Sequence, residues 1–100
     1  MKPLISVIIP AYNAQKYIRQ AVESVIQQTT DADIEVLVID DGSTDSTKEI
    51  VFEIQEECRS RKMDHREICY CPNEKNMGVA ESRNNGIRKA GGAYIAFLDA

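Results

Sequence analysis

The chain has 100 residues, 43% hydrophobic and 28% charged, with 5 Gly and 3 Pro, which is the composition of one ordinary globular domain and excludes disordered or fibrous classes. A chain of this size buries roughly 60–70% of its unfolded surface, enough for a real core. Twelve Lys and Arg against 16 Asp and Glu leave a net charge of −4 with no basic cluster, which argues against a nucleic-acid partner.

In chain order, Leu4 to Ile9 reads as a first strand stopped by Pro10, which lacks an N–H and fixes φ. From Tyr17, apolar residues at Ile18, Ala21, Val22, Val25 and Ile26 mark one face of a first helix. Glu35 to Asp40 is apolar on both faces, the pattern of a strand covered above and below. Ser46 and Glu49 have capping-box spacing, and the stripe Ile50, Val51, Ile54 and Cys58 predicts a second helix from Ser46 to about Arg61.

After the polar link "KMDHRE", Glu67 to Cys71 reads as a third strand closed by Pro72-Asn73. Val79 to Ala90 has helical spacing, with Arg83 inside the stripe of Ala80, Ile87 and Ala90, so its charge is expected to face the sheet or its crevice. Gly91 or Gly92 would supply a left-handed cap, and Ala93 to Leu98 is the fourth strand. The order βαβαβαβ with short links selects an α/β fold, a Rossmann-like parallel sheet with helices on both faces, formed by residues 1–100 as a single domain.

The longest apolar run is about six residues, where about 20 are needed to span a bilayer, and Met1-Lys2-Pro3 leads into a strand and not a signal peptide, so a cytoplasmic protein is expected. Cys58, Cys69 and Cys71 suit neither a disulfide framework nor a Cys-x-x-Cys metal site, and are read as reduced packing thiols.

Ligands of open parallel sheets bind beyond the carboxyl ends of the strands, so the residues just after each strand carry the functional signal. Those residues are Pro10-Ala11-Tyr12-Asn13, Asp40-Asp41-Gly42-Ser43, Asn73 to Gly78, and Asp99. No Gly-x-Gly-x-x-Gly follows the first strand and there is no P-loop. A calcium loop begun at Asp41 fails, because Ser46 stands where Gly is required and Phe52 where the bidentate Glu belongs.

Each residue also has a bland explanation: Asp41 or Asp45 can cap backbone N–H groups, Arg83 can pair with a neighbouring carboxylate, Tyr12 can be a rim residue, and His65 can be solvated. Gathered at one rim, however, a carboxylate that accepts from a base N–H, an aromatic ring that stacks on it and a guanidinium that forks to phosphate make the inventory of a nucleotide site. Adjacent residues of an extended chain point opposite ways, so Asp40 can brace the scaffold while Asp41 faces a ligand.

The stretches "ISVIIPAYNAQKYIRQAVESVIQQT", "EVLVIDDGSTDST" and "NMGVAESRNNGIRKAGGAYIAFLDA" resemble the amino-terminal half of family 2 glycosyltransferases with the A-type fold, over nearly all of the chain. The resemblance implies a nucleotide-sugar donor, usually a UDP-sugar, bound with Mn2+ or Mg2+. Tyr12 would stack on the base, Asp41 would accept its N–H, Asp40 would support the strand end, Pro10 and Ala11 would give backbone contacts, and Arg83 would reach the base or diphosphate. Asp99 matches the first acid of the family's Asp-x-Asp motif and is the expected ribose and metal contact.

The chain stops at Ala100, inside that motif, so it is expected to be a truncated donor-binding domain of an inverting enzyme, without the general base and without turnover of its own. The alternative is a non-catalytic nucleotide-binding or regulatory module of the same fold. A parent enzyme of this kind can be membrane-associated, and a homodimer through the edge of the fourth strand is a further expectation.

Overall fold

The computed structural model describes residues 2–99; Met1 and Ala100, the ends of the expected domain, lie outside the described residues. Four strands and three helices alternate: β1 Ile5–Ala11, α1 Ile18–Ile26, β2 Ile34–Asp40, α2 Thr47–Ser60, β3 Arg66–Pro72, α3 Val79–Lys89 and β4 Tyr94–Phe97. All strand pairs are parallel, in the order β3-β2-β1-β4. The chain steps outward from β1 to β3 and then α3 carries it back to the other side of β1, so the order reverses beside β1.

Alternation along the strands separates two cores. Val7, Ile9, Val36, Val38 and Ile68 face α1 and α2, meeting Ile18, Val22, Val51 and Ile54. Ile8, Leu37 and Ile39 face the other way with Cys69, Cys71 and Ala90, beneath α3. β2, fully buried along its length, is the strand with cover above and below that its apolar run requires. Cys58 is buried, the other two thiols are half-buried, and all three are free, as expected. No helix among the described residues is long and apolar enough to cross a membrane.

Four local expectations are corrected. β1 does not stop at Ile9: Pro10 pairs with Ile39 and Ala11 with Asp40. The Ile8 carbonyl accepts from Leu98 on the β4 side and the Ala11 carbonyl accepts from Asp41 on the β2 side. Pro10 therefore turns its missing N–H toward β4, whose pairing has already ended at Phe97, and the ladder loses no bond.

The capping box does not form. Ser46 makes no side-chain cap bond; Asp45 accepts from the Thr47 N–H at 3.0 Å, and Gln15 Oε1 accepts from the Ser46 N–H at 3.0 Å. Gln15, from the neighbouring loop, takes the Ser46 N–H that Glu49 was expected to satisfy, and the first-turn N–H of Thr47 goes to the preceding acid, Asp45.

Neither Gly91 nor Gly92 is left-handed. Ala90 is already extended at φ −68°, ψ 134°, and among the described residues the positive-φ glycines are Gly42 and Gly78. Gly92 is needed for space, since a Cβ there would sit 2.7 Å from the Ser6 backbone nitrogen.

The buried face of α3 is Ser82 and Gly86, whereas Ile87 is exposed. Gly86 lets the helix approach Ile8 closely, rotating the stripe away from the one that apolar spacing selects.

Candidate functional site

All four groups singled out by sequence lie at the carboxyl ends of the parallel strands. Pro10, Ala11, Tyr12 and Asp41, with Val79 and Ser82 of α3, line one small pocket of about 80 Å³. Beside it Arg83, one residue beyond Ser82, donates from Nη2 to Asp99 Oδ1 at 3.2 Å. Arg83 thus faces the rim, its charge partnered by the carboxylate that follows β4. Asp40 sits behind the pocket. Larger grooves, of about 410 Å³ between α2 and β3 and about 600 Å³ along the outer face of α2, contain none of these residues.

The adjacent acids point to opposite faces of the sheet. Asp40, 2% exposed, accepts from the Ser43 N–H at 2.9 Å and from the Tyr70 hydroxyl at 2.5 Å. Burial and this carboxylate push the Tyr70 phenol well above its usual range. Tyr70 in turn meets Phe52 of α2 edge to face, tying the strand end to the first core.

Asp41, 6% exposed, turns toward α3. Its Oδ1 accepts from Asn73 Nδ2 at 2.9 Å and the Met77 N–H at 2.7 Å, and its Oδ2 accepts from the Gly78 N–H at 2.9 Å. Gly78 takes φ +91° to present that N–H while starting α3. Burial alone would raise the Asp41 pKa; the donors from Met77, Asn73 and Gly78 outweigh it and hold the carboxyl below its usual value, so Asp41 is an anion. A carboxylate has about four acceptor positions and protein donors fill three, so the spare one is on Oδ2.

Tyr12 is 56% exposed and open for stacking. The residue after it, Asn13, takes φ +48° and fastens the β1–α1 loop to the β2–α2 loop. Its Oδ1 accepts from the Thr44 N–H at 2.8 Å and its own N–H donates to Ser43 Oγ at 2.8 Å. Ala14 donates to Thr47 Oγ1 at 2.9 Å and Gln15 to Asp45 Oδ2 at 3.1 Å. The hydroxyl-rich stretch after the paired acids is thus an interloop clasp. Sequence reading missed Tyr70 and Ser82, and marked Asn73 by its place after a strand without its partners, because no local spacing shows which side chains a neighbouring strand or helix will bring to Asp40 and Asp41.

The model of glycosyl transferase family 2 matches residues 6–100. The chain belongs to this family. The putative teichuronic acid biosynthesis glycosyltransferase TuaG of Bacillus subtilis is 41% identical over 99 residues, which are 98% of this chain and 36% of that protein. The structure of Staphylococcus aureus TarS 1–349 in complex with UDP-GlcNAc matches with a TM-score of 0.78 and 35% identity over 99% of this chain and 26% of that one. The mannosyltransferase PcManGT of Pyrobaculum calidifontis, in complex with GDP-Man and Mn2+, has the same fold, with a TM-score of 0.78, 23% identity and coverage of 99% and 28%. This family 2 chain therefore spans about a third or less of the length of the curated relatives it matches.

Proposed function

We propose that this family 2 chain is the donor-binding part of an inverting glycosyltransferase that uses a nucleotide-sugar, with a UDP-sugar as the favoured donor. The observation that carries the reading is the meeting of Pro10, Ala11, Tyr12 and Asp41 on one pocket beside the Arg83–Asp99 pair. Tyr12 stacks on the base, the spare acceptor of Asp41 takes its N–H, and Pro10 and Ala11 give backbone contacts. Asp40 braces the strand end, Arg83 reaches the base or diphosphate, and Asp99 meets the ribose. The complex of the 35%-identical TarS with UDP-GlcNAc supports the uridine choice.

For Mn2+ or Mg2+, the rim beside the pocket offers the exposed carboxylate of Asp99, and the described residues hold no group of three His, Cys, Asp or Glu that could bind an ion. One carboxylate fits a site completed by donor phosphates, a common arrangement for Mg2+. Asp99 would hold the ion, which would neutralise charge on the departing diphosphate. In the complete reaction an acceptor hydroxyl attacks the anomeric carbon as the nucleoside diphosphate leaves. The chain by itself binds nucleotide weakly and transfers no sugar; metal-dependent transfer or donor hydrolysis by it would contradict this.

Calorimetric titration of UDP, GDP and CDP with Mn2+, repeated on Asp41→Ala, tests the base site. Losing a charged hydrogen bond should weaken UDP binding by about 1.5–3 kcal/mol. Equal affinity in wild type and variant would overturn the assignment of Asp41.

A further inference from the structure

Behind Asp41 a chain of amides runs from Asn73 through Asn85 to Arg88. Asn73, the residue after β3, uses both amide hydrogens, one on Asp41 Oδ1 at 2.9 Å and one on Ser82 Oγ at 3.0 Å. Its Oδ1 accepts from Asn85 Nδ2 at 2.8 Å, and Asn85 Oδ1 accepts from the Arg88 guanidinium. Its backbone is fixed too, donating to the Asp40 carbonyl at 2.8 Å.

The two ends of this chain dictate its direction. A guanidinium can only donate, so Asn85 must turn its oxygen to Arg88 and its NH2 to Asn73. Asn73 must then turn its oxygen to Asn85 and its NH2 to Asp41, which as an anion can only accept. Flipping either amide would set oxygen against oxygen at one joint and NH2 against a donor at the other. Ser82, fully buried, holds the remaining Asn73 hydrogen and stops the amide rotating.

We propose that Asn73 is a positioning residue for nucleotide binding, holding the Asp41 carboxylate through an amide relay anchored at Arg88 so that the acceptor site on Oδ2 is kept for the ligand. The inference rests on the nucleotide reading above. Met77 and Gly78 donate from the segment that leads into α3; Asn73 is the one Asp41 partner hydrogen-bonded to both the sheet and α3. The ligand is an N–H-bearing base, because one anionic acceptor is what remains.

The test follows the Asp41 carboxyl carbon against pH by NMR in the full chain and titrates UDP into the same samples at neutral pH. Asn73→Ala is expected to raise the Asp41 midpoint by about one pH unit and weaken UDP roughly five- to tenfold. Asn73→Asp, which sets a second carboxylate against the first, should raise it further. Asn85→Ala, at a half-buried helix position that leaves the core intact, should shift both readouts the same way by less, and decides the matter if the Asn73 variants do not fold.

A purely structural role would lower thermal stability without moving the Asp41 midpoint. Unchanged midpoint and affinity in Asn73→Ala and Asn85→Ala, with binding lost in Asp41→Ala, would overturn this inference alone. A wild-type chain that binds no UDP, or an Asp41→Ala chain that binds it equally, would overturn the nucleotide reading and this role with it.

Discussion

Arg66 illustrates how much of the fold rests on single polar side chains. Its guanidinium is buried at the start of β3 and donates to the carbonyls of Ile26, Gln28, Thr30, Ala32 and His65, at 2.8 to 3.3 Å. These carbonyls belong mostly to the irregular α1–β2 link, which has no ladder to satisfy them. Lysine carries a point charge and cannot fork across five acceptors, so Arg66→Lys should cost about 3 kcal/mol in chemical denaturation. Asp41 and Asp45 supply the pH dependence. Hydrogen bonds hold both below the ordinary value of 3.8, against the opposing effect of burial. A folded-state pKa below the unfolded one adds stability above the unfolded value and loses it as pH falls through the folded one. Thermal midpoints should therefore drop on acidification below about pH 4, and less steeply for Asp45→Asn.

At the scale of elements, packing decides where propensity is silent. A Cβ on Gly86 would lie 2.5 Å from Ile8 Cγ2, so Gly86→Ala should lift α3 from the sheet and destabilise by about 1–3 kcal/mol, read from denaturant midpoints. The number, order and type of the elements were legible in the sequence because β-branched runs and helical stripes alternate cleanly. Boundaries were not. Pro10 remains in β1 because of which neighbour it faces, and α2 is capped by Asp45 and Gln15 because a loop 31 residues away delivers one of them. The same holds for the site: Tyr12, Asp41 and Asp99 announce themselves as polar residues after strands, whereas Asn73 looks like turn punctuation until α3 is folded over it.

For the whole molecule, the uneven cover of the sheet matters most. All four residues of β4 are exposed, including Tyr94, Ile95 and Phe97, and β4 hydrogen-bonds on one side to β1 and stands at the sheet edge. An apolar open edge pairs readily with another strand. Sedimentation should show this chain self-associating as concentration rises, and Ile95→Lys should return it toward monomer; a wild-type monomer at high concentration would contradict this.

The clasp through Asn13 bears on how a ligand would arrive. Its bonds join the two segments flanking the pocket directly to each other, so docking need not freeze them and forfeits little chain entropy. Backbone amides of Asn13, Ala14, Thr44 and Thr47 should accordingly exchange slowly with deuterium in the free protein, and scarcely slower once it is saturated.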